Sequence, residues 1–237
     1  AALGSVTSGL YNTALGYFTG TKLAHADADS NVFVGYGAGA GGDDTTGNNS
    51  ANNNVGIGSL ALGSTADFTA DGSAFTATNN VAVGSSALKL VTTGNYNVAL
   101  GSSAGAEVTT GSNLTFIGYK AGESSTDTAN TTVIGADAGR DGDLGDYSVY
   151  IGNYSGVSAT GASNTLVGYN TGGRLSSGAS NTYMGSSAGT GNHTGTGNTY
   201  LGFESGKGVN DNANSSNVGV GYRSLYAITT GANNVSI

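Results

Sequence analysis

The 237-residue chain contains no cysteine, no proline and no tryptophan, and only 9% of its residues are charged, where an average soluble domain carries roughly 25%. Each absence excludes something. Without cysteine there is no disulfide framework, no thiolate metal site and no thiol nucleophile. Without proline, and without glycine at every third position, there is no collagen helix. Seven Lys and Arg against fifteen Asp and Glu leave a net charge of −8. No basic run occurs, which argues against a nucleic-acid partner or an anionic membrane surface. No stretch approaches the roughly 20 apolar residues that would cross a bilayer, and the first residues show neither a charged n-region nor an apolar h-region. Large apolar side chains are scarce as well. The hydrophobic fraction is 37%, mostly Ala and Val, so a thick core cannot be assembled. What is abundant is glycine, at 43 residues. Glycine with Ser, Asn and Thr would suit a disordered low-complexity chain, but disorder does not space its residues at fixed intervals.

The spacing here is fixed. Anchoring glycines fall at positions 4, 16, 35, 58, 84, 101, 118, 135, 152, 168, 185, 202 and 221. From Gly84 to Gly202 the interval is 17, with one interval of 16. Such self-similarity is the signature of a solenoid. One residue before the anchor stand Leu15, Val34, Ile57, Val83, Leu100, Ile117, Ile134, Ile151, Val167, Met184, Leu201 and Val220. Every one is a large aliphatic, and the column is expected to form the core ladder of the coils. From Gly16 onward every residue three before the anchor is Val or Thr, and period-two alternation of branched residues predicts a short β-strand in each coil. Three residues after it the side chain is always Ala, Ser or Thr, as a narrow interior with a sharp corner would require.

Four residues before the anchor, asparagine occupies Asn12, Asn31, Asn54, Asn80, Asn97, Asn164, Asn181, Asn198 and Asn217, and again Asn234. Stacked asparagines at equivalent corners can hydrogen-bond along the axis and tolerate left-handed backbone, so a ladder is expected. The intervening strand column carries Phe116, Val133, Tyr150, Leu166, Tyr183 and Tyr200. If the aliphatic column faces inward, these face outward and become candidates for contacts between chains. The fold expected is therefore all-β: a parallel β-solenoid of about thirteen short coils, one repeat array over residues 1–237, read as a segment of a longer polypeptide. Longer inter-coil loops fall at 36–53 and 63–79, and insertions of this kind often bind ligands. Asp43, Asp44, Phe68 and Phe75 are the receptor-contact candidates in them.

Residues that carry catalysis are scarce. His25 and His193 are far apart, and Glu107, Glu123 and Glu204 fall at different phases of the repeat, which does not build the facing carboxylates of a glycosidase. Asp141, Asp143 and Asp146 lack the closing glutamate of a calcium loop. No catalytic residue, metal site or cofactor is assigned.

The segments NVALGSSAG (97–105), TTGSNLTFIGYKAG (109–122) and SNTLVGYNTGG (163–173) resemble the Asn-x-Ala-Ile-Gly repeats of YadA-type heads of trimeric autotransporter adhesins. They resemble still more the related arrays of bacteriophage tail fibres and tailspikes. The resemblance implies a left-handed β-roll, a homotrimer, and attachment to a surface. The period of 17 rather than the shorter adhesin repeat favours the fibre. The expected role is thus a structural fibre segment of a phage or virus particle, a rigid spacer with a host receptor or glycan as a further partner, located in the virion. The alternative is the head domain of a bacterial trimeric surface adhesin, outside the cell.

Overall fold

The computed structural model describes residues 9–21, 28–40, 50–63, 75–209 and 211–237. The chain forms two compact units, Ala1–Asp127 and Thr128–Ile237. The first holds strands β1 (Thr13–Leu15), β2 (Val32–Val34), β3 (Val55–Ile57), β4 (Val81–Val83), β5 (Val98–Leu100) and β6 (Thr115–Ile117). The second holds β7 (Thr132–Ile134), β8 (Val149–Ile151), β9 (Thr165–Val167), β10 (Thr182–Met184), β11 (Thr199–Leu201), β12 (Val218–Val220) and β13 (Val235–Ser236). Within each unit every strand pairs in parallel with its neighbour in sequence. The expected parallel β-solenoid is therefore observed, and no helix occurs among the described residues. Register follows the anchor: Val98, Ala99 and Leu100 lie beside Thr115, Phe116 and Ile117. The anchoring glycine extends each pairing by one bond, as when the N–H of Gly118 donates to the carbonyl of Leu100 at 2.8 Å.

The two faces of the strand are reversed from the expectation. The central residue is the buried one: Phe33, Phe116, Val133, Tyr150, Leu166, Tyr183 and Tyr200 have no exposed surface. The proposed core ladder of Leu15, Val34, Ile57, Val83, Leu100, Ile117, Ile134, Ile151, Val167, Met184, Leu201 and Val220 lies outside the coil. Leu15 is 68% exposed and Met184 47%, and the rest are half-buried or exposed. The interchain candidates Phe116, Val133, Tyr150, Leu166, Tyr183 and Tyr200 instead fill their own coils. The reason is parity. The asparagine and the central strand residue are two apart, so both point to one side of the strand, and the asparagine must be inside to bond from coil to coil.

Interior volume is shared between that central residue and the fourth residue after the anchor. Where the strand carries Tyr183, the partner position is Gly189, whose φ is +61° and whose hypothetical Cβ would lie 2.3 Å from the tyrosine ring. Where the strand carries only Ala82 or Gly56, the partner is a leucine, Leu88 or Leu62, fully buried at the same left-handed backbone. The Ala, Ser or Thr column three residues after the anchor is buried as expected, from Thr19 to Ser205. The anchor itself must be glycine: at Gly101 φ is +138° and a Cβ would stand 2.4 Å from the carbonyl oxygen of Gly118.

The asparagine ladder is present, and all nine residues assigned to it take part. Asn181 shows the pattern. Its Nδ2 donates to Asn164 Oδ1 at 3.1 Å and to the carbonyl of Gly195 at 2.9 Å. Its Oδ1 accepts from the backbone N–H and the Nδ2 of Asn198 at 3.0 and 3.1 Å. In the first unit the same relay runs from Asn12 through Asn31, Asn54 and Asn80 to Asn97, and there Leu114 continues it through the backbone alone, its N–H donating to Asn97 Oδ1 at 3.0 Å. In the second it begins with the hydroxyls of Thr131 and Ser148. The left-handed residue is the one before the ladder position, such as Tyr96 before Asn97 (φ 59°), Asn113 before Leu114 (φ 60°) and Ser163 before Asn164 (φ 62°).

Three outcomes follow from this interior. Asn181→Leu keeps the volume but orphans the Asn198 N–H and the Gly195 carbonyl, at about 1–3 kcal/mol for each buried group. Urea unfolding should show the loss, and an unchanged midpoint would remove the ladder from the stabilising interactions. Ser125 is buried with no hydrogen-bond partner for its hydroxyl, at the phase where Val91 and Val108 are buried. Ser125→Val should therefore stabilise by about 1 kcal/mol or more, read as a higher melting temperature. Burial pushes the phenols of Tyr150, Tyr183 and Tyr200 up, Tyr200 to about 12. The neutral phenol is the form the fold favours, so this contribution is complete below the unfolded value of about 10 and is lost as pH rises beyond it. Stability should fall by about 1.4 kcal/mol per pH unit for each such phenol above pH 10. Tyr150→Phe should flatten that slope while leaving neutral-pH stability nearly unchanged.

Candidate functional site

The outward side of the strands is a surface built from three columns. The Val/Thr column and the aliphatic column stand on the strand itself, and the residue after the anchoring glycine adds a third. That third column holds Tyr17, Tyr36, Tyr119, Tyr169, Phe203 and Tyr222, all between 45% and 70% exposed, with Ser, Ala or Asn in the remaining coils. No position of the three columns carries a charged side chain. Rings in successive coils come together: Tyr17 and Tyr36 stack at 6.0 Å and 19°, and Phe203 and Tyr222 at 5.6 Å and 9°. In the second unit alone, seven strands about 4.8 Å apart make this face about 30 Å long, on the order of 300 Å² in area. An uncharged face of that size is within the range of the largest surface patches of monomers, which often serve binding.

Charges are confined to the turns that follow. Arg140 pairs with Asp137 at 3.0 Å and Asp141 at 2.7 Å. Asp146 accepts from the backbone N–H of Ala129 at 2.8 Å, and Asp143 accepts from Thr128 Oγ1 at 3.3 Å. The three aspartates considered as a cation loop are thus turned to separate partners. His193 is exposed, with Nδ1 3.0 Å from the carbonyl of Arg174 and Nε2 3.3 Å from Ser176 Oγ. Glu107 is exposed, and Glu123 pairs with Lys120 at 3.2 Å. Of the receptor-loop candidates, Asp43, Asp44 and Phe68 lie outside the described residues, as does His25. Phe75 is 2% exposed. It is a buried side chain of the coil and not an outward contact.

One cluster escaped the sequence reading. Glu204 is 7% exposed. One of its oxygens accepts from Lys207 Nζ at 2.5 Å and the other from Arg223 Nε at 2.6 Å. Those two bonds, that to Lys207 above all, hold its carboxyl below the usual range, and Glu204 in turn raises Lys207 and Arg223. The guanidinium of Arg223 lies over the rings of Tyr222, at 5.3 Å, and Tyr226, at 4.8 Å. The signal was available in the phase: FExxK (203–207) and YRxxY (222–226) fall at identical positions of adjacent coils.

No protein-family model matches the chain, and no curated protein matches it in sequence.

Proposed function

We propose that this chain is a non-enzymatic structural segment of a homotrimeric fibre of a phage or virus particle, a spacer that also contacts the host surface. The observation that carries the reading is the pair of columns on the strand itself, one of Val and Thr and one of large aliphatic residues, which carries no charge in either unit. A chain with a net charge of −8 repels its copies wherever carboxylates meet, and a face without them is where identical chains can approach. Its columns repeat once per coil, so one copy matches another at every rung, as symmetric self-association demands. The three-chain order and the virion setting rest on the resemblance of the repeats to fibre arrays.

The two faces of the strand separate assembly from folding. Ile134→Ser, Ile151→Ser and Val167→Ser together remove outward side chains, so sedimentation equilibrium should fall from three times the 23.0 kDa chain mass towards one, with the β-sheet circular dichroism retained. Tyr150→Ser should instead unfold the coils, because it empties a buried site at a cost of about 3–5 kcal/mol. A wild-type chain that sediments as a folded monomer would overturn the proposal.

A further inference from the structure

We propose that the turns following β11 and β12 form a binding site for a carboxylated sugar of a polysaccharide. Phe203 and Tyr222, 45% and 70% exposed, stack at 5.6 Å with their planes 9° apart and offer a flat apolar surface two coils wide. Beside it, the Arg223 guanidinium lies 5.3 Å from the Tyr222 ring and 4.8 Å from that of Tyr226 and is fixed through Nε by Glu204 at 2.6 Å. Its two Nη atoms make no hydrogen bond among the described residues. A guanidinium held by its Nε edge presents that free end as a fork matched to a planar carboxylate. Lys207, bonded to the other oxygen of Glu204 at 2.5 Å and 5.4 Å from the Tyr226 ring, adds a second cation. One nearly buried carboxylate thus orients two cations, and the patch is positive in a chain of net −8.

The fold does not need this arrangement. At the same three positions in the coils of β4 and β5 stand Ser85, Ser86 and Lys89, then Ser102, Ser103 and Ala106. The cations of both pairs stay open to solvent, Lys207 at 34% and Arg223 at 46%, and such pairs contribute little to stability, which makes a purely stabilising cluster a poor account of six matched residues. An inorganic anion would use the guanidinium and leave the rings idle. A pyranose bearing a carboxylate uses both, its C–H face lying on an aromatic ring while the acid meets Arg223.

This inference rests on the host-contact part of the proposed function and uses the residues after the anchoring glycine, not the two strand columns through which the chains associate. The test is calorimetric titration of the chain with an oligogalacturonate and with its methyl ester, which keeps the ring and removes the charge. The acid form should bind at least tenfold more tightly than the ester and weaken with added salt. Arg223→Gln and Tyr222→Ala should each weaken it at least tenfold with circular dichroism and sedimentation mass unchanged, while Lys89→Gln should match the wild type. Equal affinity for acid and ester, no binding of the acid form at millimolar concentration, or full binding by both variants would overturn the inference. If the acid form fails to bind and the variants alter the sedimentation mass, the cluster is a contact between chains, and the inference falls while the fibre reading stands. Binding by a monomeric wild type would do the reverse.

Discussion

The interaction on which the rest of the structure depends is the coil-to-coil asparagine relay. The Asn181 amide bonds both Asn164 before it in the stack and the turn at Gly195 beyond, which works only if successive coils repeat the same backbone at one strand spacing. That constraint fixes the left-handed residue preceding the asparagine and the glycine that closes the strand. It also decides which strand residue is inside. Amide hydrogen bonds buried in a low-dielectric interior are costly to leave unmade, so the relay acts as a ruler for register in a chain whose apolar core is too thin to impose one.

The interior is filled by compensation between positions. A tyrosine or phenylalanine on the strand is met by glycine across the coil, and an alanine or glycine by leucine. Ala99 and Gly105 are both small, and the neighbouring coils fill the space: the side chains of Leu88 and Phe116 come within about 3 Å of where a Cβ on Gly105 would stand. Packing is therefore settled between coils as well as within them. Tyr183 and Tyr200, 5.0 Å apart and 20° from parallel, show the same sharing between two large rings.

Much of this was legible in the sequence. The period, the position of each strand, the parallel pairing, the narrow corner and the asparagine ladder all follow from columns of uniform chemistry. Which strand face is buried does not follow, because a uniform aliphatic column reads as a core. The uniform column of Leu15, Ile57, Leu100 and Met184 is uniform for being outside and alike from coil to coil, whereas the buried column varies in size because another position compensates it. The parity of Asn181 with Tyr183 would have decided the matter. The cluster around Glu204 was invisible to a search for catalytic pairs, since its logic is the juxtaposition of two matched turns.

The one short interval, from Gly152 to Gly168, leaves β8 and β9 in register, Val149 beside Thr165 and Ile151 beside Val167. The missing residue is taken from the turn ahead of Gly161, far from the strand. The 23- and 26-residue intervals before Gly58 and Gly84 likewise leave the pairing of β2, β3 and β4 intact. Strand and asparagine thus act as a rigid clasp, and the remaining arc is slack whose length carries no structural information. Such a chain can acquire or lose peptide at that arc in single residues without disturbing its stack, so it can serve as a frame on which foreign segments are displayed at rung spacing.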